Sequence, residues 1–286
     1  MRPSRFYLPK IDDPPSTIFE HLLQRFPQVP SDVWRQRVTQ GLITLSDGTT
    51  MREDSAYRYG LMVYYWKHVP FEPEPLEEPI VIFRDDEIIV VDKPHGMAVT
   101  PAGEHVERSL LFRLEKSTGL TDLAPMHRID RDTAGLVLFT INPAGRAPYH
   151  QLFSEGRIVK EYVAAAHVPD DLQGRRWRIE NRLETGDPWY RQRIVAGAVN
   201  AITEIELLDV RTGCGRFRLF PTTGKKHQLR VHMASIGCPV VGDPFYPTIK
   251  ERHEGDLPLQ LIARSLAFID PITGVERSFT SRRELA

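Results

Sequence analysis

The segment from His127 to Thr140 reads His-Arg-Ile-Asp-Arg-Asp-Thr-Ala-Gly-Leu-Val-Leu-Phe-Thr. Its first half is dense in charged and titratable side chains, and its second half has the composition of a buried β-strand. A polar loop that runs straight into a core strand is held rigidly, and such loops often carry functional side chains. The segment therefore indicates a sheet-based core and offers the first candidate for a functional site.

Two interpretations of this loop remain open. If residues 127–130 are extended, Arg128 and Asp130 share one face, while His127 and Ile129 share the other. The polar face could then carry chemistry at the edge of the sheet. Alternatively, the loop is a salt-bridged turn in which Asp130 or Asp132 only caps the residues before the strand.

Strand patterns dominate the chain after residue 80. Besides 135–140, they cover the ranges 80–83, 88–91, 158–168, 201–210, 216–220 and 259–268. Helical patterns are few, and we predict helices over 108–118, 143–154 and 226–236. Strands and helices do not alternate regularly, so the pattern predicts an α+β fold with a mixed, mainly antiparallel sheet.

The beginning of the chain has a different organisation. It contains two short helical patterns, which start near Ser16 and Ser31, and then a strand over 42–45. Residues 70–79 contain four prolines and four glutamates, a composition typical of a stiff, extended linker. We predict a small α/β domain over 1–69, a linker over 70–79 and a large domain over 80–286.

Composition narrows the class of protein. Hydrophobic residues make up 41% and charged residues 26% of the 286 residues, which suits a chain with a packed core. No stretch reaches the roughly 18–20 consecutive apolar residues of a membrane span, and no apolar signal core follows the N-terminus. We therefore expect a cytoplasmic protein. The two cysteines and scattered histidines lack metal-ligand spacing, so we expect neither a disulfide framework nor a metal site.

The charge distribution is more informative than its sum. The formal net charge of −1 does not by itself favour a nucleic-acid partner. However, residues 211–232 contain several arginines, lysines and histidines but no aspartate or glutamate. Such a run fits a phosphate-binding surface, and it fits an ordinary solvated face equally well.

Within this run, Gly224 permits a tight turn before the predicted helix. One face of the helix would be formed by residues spaced three or four apart, namely Leu229, His232, Met233 and Ile236. His227 and Arg230 would share another face. An arginine held beside a core usually needs a carboxylate, and Asp130 is a candidate partner. The alternative is a surface helix whose basic residues are only solvated.

A further candidate is Tyr162, in the strand pattern Lys160-Glu161-Tyr162-Val163. Alternation along the strand places Lys160 and Tyr162 on one face and Glu161 on the other. A tyrosine whose ring simply packs into the core is the default interpretation. Residues 90–99 form another strand that ends in a proline- and glycine-containing turn.

Taken together, five motifs resemble the RluA family of pseudouridine synthases in both order and spacing, and the match extends from about residue 80 to 275. They are Asp92-Lys93-Pro94-His95-Gly96, His127–Leu136, Lys160-Glu161-Tyr162, Thr223–His232 and Gly237–Tyr246. The first domain resembles, less closely, the small S-four-like RNA-binding domain that often precedes this catalytic domain.

The resemblance implies a pseudouridine synthase fold and the isomerisation of specific uridines in structured ribosomal or transfer RNA. Asp130 matches the family's essential aspartate, which acts on the ribose of a flipped-out uridine. It either attacks the anomeric carbon or takes a neighbouring ribose proton. Tyr162 matches the active-site tyrosine, and Arg128 matches the arginine that helps to hold the RNA open. Arg230, as the charge partner of Asp130, completes the predicted catalytic residues.

Further expectations concern RNA contacts and cofactors. Lys225, Lys226 and His227 are predicted to bind the substrate RNA. The isomerisation neither adds nor removes atoms, so we expect no cofactor. We expect RNA, and neither DNA nor a membrane, to be the partner of a monomer.

Two departures from the family pattern are visible. Gly224-Lys225-Lys226-His227-Gln228 stands where the family usually has Gly-Arg-Thr-His-Gln, and Ile262-Ala263 stands where a His-Ala pair is common. Lysine keeps the positive charge but lacks the planar fork of arginine, which alters the RNA contacts available at that turn.

Two other classes of protein fit parts of the pattern. A pure RNA-binding module would not need Asp130, Tyr162 and Arg230 together. A hydrolase with an aspartate nucleophile, such as a glycosidase, would need a second carboxylate as the acid. Asp132 is the nearest in sequence, and its place in the turn favours structural capping.

Overall fold

The computed structural model describes residues 4–65, 77–101, 107–170, 172, 175–251, 253 and 255–286. The described residues form two compact units, one within 4–65 and the other comprising 77–101 and the described part of 108–286. Most of the predicted linker, residues 70–76, lies outside the described residues.

The first unit is a small α/β structure. It contains a three-stranded antiparallel sheet in the order β1-β3-β2 and two helices. Its elements are β1 (Ser4–Tyr7), α1 (Ile18–Arg25), α2 (Ser31–Thr39), β2 (Ile43–Leu45) and β3 (Met62–Tyr65). Helix α1 begins with a capping box, in which the Thr17 side chain accepts from the Glu20 amide and the Glu20 carboxylate accepts from the Thr17 amide. The predicted strand and both predicted helices are therefore present in this unit.

The second unit is built on one large sheet. Its strands are β4 (Ile80–Arg84), β5 (Ile88–Lys93), β6 (Ala124–Pro125), β7 (Ala134–Thr140), β8 (Val159–His167), β9 (Arg176–Thr185), β10 (Gln192–Val195), β11 (Ala201–Arg211), β12 (Cys214–Pro221), β13 (Leu261–Ile269) and β14 (Glu276–Thr280). Its α-helices are α3 (Leu110–Thr118), α4 (Arg146–Ser154) and α5 (Gln228–Ser235).

The main path through the sheet runs β10-β9-β11-β12-β8-β13-β7-β5-β4, with β14 paired to β13 and β6 to β7. Of the described strand pairs, β7 and β13 run parallel and the others antiparallel. The predicted α+β class, with a mixed and mainly antiparallel sheet, is confirmed. The parallel pair matters because it places the strand after the Asp130 loop next to β13, and the other neighbour of β13 on the main path is β8.

Strands β5 and β7 explain why the core is continuous on both sides of the sheet. Every residue of both strands is buried. Alternate side chains therefore serve two different core clusters. One cluster includes Leu138 of β7 and Tyr149 of α4, and the other includes Phe139 of β7 and Leu114 of α3.

Strands β9, β10 and β14 were not predicted. In β9, charged residues alternate with residues that include apolar side chains packed on the core, and this alternation was not recognised. The arginines of β9 pair with glutamates across the β9–β11 ladder, as Arg176 does with Glu206 at 2.6 Å and Arg178 with Glu204 at 2.9 Å. Cross-strand pairs of opposite charge stabilise a ladder, and they cannot be seen in either strand alone. Within the described part of the chain, no helix is long and apolar enough to cross a membrane.

Candidate active site

Gly135 lets the loop that carries Asp130 approach β13 closely. Its φ is +109°, and a Cβ at this position would lie 2.3 Å from the Ala263 carbonyl oxygen. Gly135 and Ala263 are also register partners in the parallel β7–β13 pair. Ile262-Ala263 departs from the family's usual pair. The contact that this segment makes with Gly135 comes from the Ala263 backbone and does not involve the side chain of Ile262.

The turn after β5 holds the same loop from the other side. Lys93 is fully buried, and its Nζ donates to the carbonyls of Pro94 at 2.9 Å and Arg131 at 3.0 Å. Burial lowers the pKa of Lys93 to about 7, against the opposing effect of the Asp132 and Asp130 charges. Lys93 belongs to one of the five motifs, but no role was predicted for it. The sequence feature that could have indicated this role is the position of the lysine at the end of an apolar strand.

A second contact from that turn comes from His95. Its Nδ1 lies 2.7 Å from the carbonyl oxygen of Asp132. Asp132 is itself buried, and the Arg131 Nε lies 3.4 Å from its carboxylate. These contacts make Asp132 part of the structural support of the loop, as its predicted capping role suggests.

The side chains of residues 127–130 alternate between the two faces as predicted. Arg128 is exposed, and Ile129 is buried beneath it. His127 is held inside, where its Nε2 accepts from the Leu138 amide at 3.2 Å and its ring stacks on Phe153. The Asp130 side chain is 25% exposed, so its carboxylate can be reached from solvent.

Arg230 lies opposite Asp130, although the two residues are a hundred positions apart in sequence. The Arg230 Nη1 is 3.5 Å from Asp130 Oδ2, which confirms the predicted contact at the long end of its range. The principal partner is Asp243, whose carboxylate accepts from Nε at 2.8 Å and Nη2 at 2.6 Å. This is the bidentate geometry that the arginine fork favours. Asp243 also belongs to one of the five motifs, and this role was not predicted for it.

Backbone amides hold the Asp243 carboxylate in addition to Arg230. It is buried, and its Oδ1 accepts from the amides of Phe245 at 2.8 Å and Tyr246 at 3.2 Å. The rings of Phe245 and Tyr246 lie 5.1 and 5.4 Å from the Arg230 guanidinium carbon. Burial alone would lower the pKa of Arg230, but the hydrogen bonds and charge of Asp243 raise it above its usual value. Arg230 is thus a permanent, immobile cation.

Helix α5 keeps Arg230 in place. All residues from Gln228 to Met233 are buried, so the alternative of a solvated surface helix is wrong. Leu229 and Met233 enter the core as the predicted face requires. Gln228 anchors the preceding turn, because its Oε1 accepts from the Lys225 amide at 3.0 Å and its Nε2 donates to the Ile202 carbonyl at 2.9 Å.

Tyr162 lies on β8 and is partly buried. Its ring packs against two core clusters, as the default interpretation predicted. Burial and, second, the negative charge of Asp130 raise the pKa of the Tyr162 hydroxyl. The tyrosine is therefore protonated at neutral pH and sits within the electrostatic range of Asp130.

Comparison with known proteins identifies the family of this chain. The sequence model of the family described as RNA pseudouridylate synthase matches residues 87–235, a range that contains Asp130, Tyr162 and Arg230. The chain belongs to the RNA pseudouridylate synthase family. It is therefore an isomerase, and the resemblance to the RluA family is confirmed.

Individual relatives support the assignment. The dual-specificity RNA pseudouridine synthase RluA of Haemophilus influenzae is 30% identical over 73% of this chain and 96% of its own length. The ribosomal large subunit pseudouridine synthase D of Zymomonas mobilis is 28% identical over 85% of this chain and 82% of its own length. The structure of human RNA pseudouridylate synthase domain containing 1 has the same fold, with a TM-score of 0.57 and 22% identity over 74% of this chain and 86% of that one.

In this pseudouridine synthase, the predicted RNA-binding residues do not share one environment. Arg128, Lys225 and Lys226 are exposed. His227 is buried, has a positive φ of 54°, and places its Nδ1 3.0 Å from the Tyr246 hydroxyl. The structure thus gives His227 packing and hydrogen-bonding contacts that the exposed lysines lack.

The basic run is also less uniform than it looks in sequence. Arg216 pairs with Asp209 at 2.6 Å, and Arg218 pairs with Glu161 at 2.8 Å. These acids come from outside the run and neutralise part of it. Among the described residues, no group of three histidine, cysteine, aspartate or glutamate side chains could hold a metal ion.

Three histidines held inside the protein predict that the synthase loses stability in mild acid. Burial lowers the pKa of His127 to about 3 and the pKa of His227 and His232 to about 4. The unfolded chain, with a histidine pKa of about 6.5, therefore binds protons first as the pH falls. The contribution of these neutral histidines to the free energy of unfolding is complete above pH 6.5 and is lost between pH 6.5 and about 3. At pH 5 we expect a loss of about 2 kcal/mol for each histidine, or about 6 kcal/mol in total.

The measurement is the free energy of unfolding in urea at pH 7.5 and pH 5.0. His167, which is exposed on β8, gives the control: His167→Gln should leave the difference between the two pH values unchanged. Equal free energies at both pH values in the wild-type protein would contradict the prediction.

Proposed function

We propose that this synthase isomerises specific uridines in structured ribosomal or transfer RNA through the carboxylate of Asp130. The observation that supports this role is the environment of that carboxylate. It is partly exposed on a loop that Lys93 and Gly135 hold in place, and it faces the immobile guanidinium of Arg230. A reachable anion on a rigid support, next to a buried cation, is what a nucleophilic carboxylate needs.

The chemistry explains why a carboxylate and a fixed cation suffice. The bond from the ribose to the base nitrogen breaks, and a bond from the ribose to a base carbon forms, so the atoms balance without any co-reactant. Arg230 stabilises the ionised form of Asp130 through Oδ2. The side chain of Asp130 is 25% exposed, and we assign the contact with the sugar to its other oxygen, Oδ1. It would attack the anomeric carbon or take a neighbouring ribose proton.

Tyr162 has the properties of a partner for the base. Its pKa is raised by burial, so its hydroxyl keeps its proton at neutral pH and can donate a hydrogen bond. Its ring is held by core packing and offers an aromatic surface against which the flipped uracil can stack.

The RNA must be opened before Asp130 can reach the ribose. Flipping a nucleotide out of its helix or loop costs a few kcal/mol. Arg128 is exposed on the same loop as Asp130, where it would hold the opened RNA. Lys225 and Lys226, at the turn before α5, would bind phosphates. We also propose that the first unit is an S-four-like RNA-binding domain and that the enzyme acts in the cytoplasm as a monomer.

The names of relatives support both classes of RNA. One is a ribosomal large subunit synthase, another is called dual-specificity, and a third, from Saccharomyces cerevisiae, is a mitochondrial tRNA pseudouridine(32) synthase with 28% identity over 78% of this chain. Because structured RNA is recognised largely by shape, the target has to be found by experiment.

The proposal predicts a specific loss of modification in cells. Deletion of the gene should remove pseudouridine from at least one position of ribosomal or transfer RNA, because this enzyme supplies the carboxylate that acts on that uridine. The measurement is a pseudouridine map of total RNA from the deletion strain, with and without the gene supplied on a plasmid. A map that is identical in both strains would contradict the proposed substrate class.

A further inference from the structure

Trp189 is an exposed aromatic ring that the packing of the protein does not explain. It lies in the connection between β9 and β10, and 75% of its surface is exposed. A tryptophan normally buries most of its large ring. The ring has a cation–π contact, because the Lys226 ammonium lies 5.4 Å from its centroid.

The connection that carries Trp189 is firmly held. The Arg191 amide donates to the Pro188 carbonyl at 2.9 Å, which closes a turn around Trp189. The Arg191 Nη2 donates to the Pro247 carbonyl at 2.8 Å, and its guanidinium lies 5.0 Å above the Tyr246 ring. Trp189 is therefore presented from a fixed backbone, which lowers the entropy cost of binding a ligand.

A series of ring contacts joins Trp189 to the candidate active site. The Tyr190 ring meets Trp189 edge-on, with centroids 6.0 Å apart, and its centroid lies 5.2 Å from that of Phe245. Phe245 in turn covers the Arg230 guanidinium, which faces Asp130. Trp189 thus stands at the rim of the site, next to the segment whose Phe245 and Tyr246 amides hold Asp243.

We propose that Trp189 is a stacking platform for an unpaired nucleobase of the substrate RNA beside the target uridine, and that Lys226 binds the phosphate of the same nucleotide. This inference rests on the proposed function of the Asp130 site. Stacking on an exposed aromatic ring is tolerant of base identity, since every base has a π-face. An adjacent lysine adds a sequence-independent contact to the backbone.

The surrounding charge favours RNA over a protein partner. Lys225 and Lys226 are exposed beside the ring, and Arg193 is exposed on β10. Asp187 is the one acidic residue between positions 186 and 195. An excess of cations around an aromatic ring attracts a polyanion that carries stacking bases.

The test compares Trp189→Ala and Trp189→Phe with the wild-type enzyme. Binding is measured with total transfer RNA and total ribosomal RNA from cells that lack the gene, because one of these contains the unmodified target. We expect Trp189→Ala to weaken binding about 5-fold to 100-fold, the range that base–aromatic stacking gives. Trp189→Phe should bind within about fivefold of the wild type, since a smaller ring still stacks. In turnover, the change in KM should exceed the change in kcat.

Tryptophan fluorescence measures the contact between Trp189 and RNA and does not require turnover. RNA should quench the emission of the wild-type enzyme, and most of this quenching should vanish in Trp189→Phe. Trp177 provides the matched control, because it lies on β9, is partly buried and packs on Phe217: Trp177→Phe should keep the quenching and the affinity. Lys226→Ala should reduce by about one the slope of the logarithm of the binding constant against the logarithm of the salt concentration.

Two outcomes would overturn the proposal. If Trp189→Ala binds both RNAs like the wild type, the ring does not contact RNA and serves a protein partner instead. If Trp189→Phe binds as poorly as Trp189→Ala, the contact is not stacking. Repeating the binding and quenching in the Asp130→Asn background separates this proposal from the catalytic one, because neither readout requires turnover.

Discussion

Asp130→Asn is expected to abolish pseudouridine formation, with a fall in turnover of about 10⁴-fold or more, the scale seen when a catalytic nucleophile is removed. Asparagine has nearly the same shape but carries no negative charge, so it can neither attack the sugar nor take its proton. Lys93 holds the loop through backbone carbonyls, and these contacts do not depend on the Asp130 carboxylate. Fold and RNA binding should therefore be retained.

The measurement is the pseudouridine content of RNA from the deletion strain after incubation with purified enzyme. Asp122→Asn is the matched control, because Asp122 is a half-exposed carboxylate of the same unit that lies near Arg146. It should turn over normally. Substantial pseudouridine formation by a well-folded Asp130→Asn enzyme would refute the proposed mechanism.

Asp243→Ala is expected to destabilise the enzyme by about 3–5 kcal/mol, the cost of leaving one member of a buried ion pair behind. Arg230 is 1% exposed and Asp243 is not exposed at all. Without Asp243, the one hydrogen bond that the guanidinium keeps among the described residues is its 3.5 Å contact with Asp130, which cannot satisfy its five donors. Activity should also fall, because Arg230 would no longer be fixed opposite Asp130. The measurement is the free energy of unfolding in urea together with turnover.

Two variants sharpen this test. Asp209→Ala removes an equally short pair with Arg216, at 2.6 Å but on the surface, and should lower the stability far less than Asp243→Ala does. The double variant Asp243→Leu, Arg230→Met removes both charges and should regain much of the lost stability. It should nevertheless remain inactive. Recovery of activity in the double variant would show that Arg230 does not support Asp130.

Much of the fold could be predicted from sequence because it depends on local patterns. The apolar run of β7 and the helix α5 follow from the composition and periodicity of their own residues. The density of charge in the residues that precede β7 likewise indicated Asp130 as a candidate. Strand β9 was not predicted, because charged residues separate its apolar ones, and the partners of its arginines lie on β11.

The site could be predicted only in part. The contact between Asp130 and Arg230 was expected from chemical need, and the structure contains it. The stronger partner, Asp243, was not recognised, since nothing in its own segment indicates that it is buried against α5. Likewise, Lys93 looked like the end of a strand, although its ammonium holds the Asp130 loop.

The sequence by itself thus determined most of the helices and core strands, the α+β class and the position of the candidate carboxylate. These depend on which residues alternate or repeat within a few positions of one another. Only the tertiary structure decided which charges meet, which histidines lie buried and neutral, and that Trp189 stands beside Lys226 at the rim of the site. The physical reason is that the pKa of a polar side chain, and its contribution to stability, depend on its burial and on its partners. In a sheet built from strands that are distant in sequence, the residues that bury and pair with a side chain come from far along the chain.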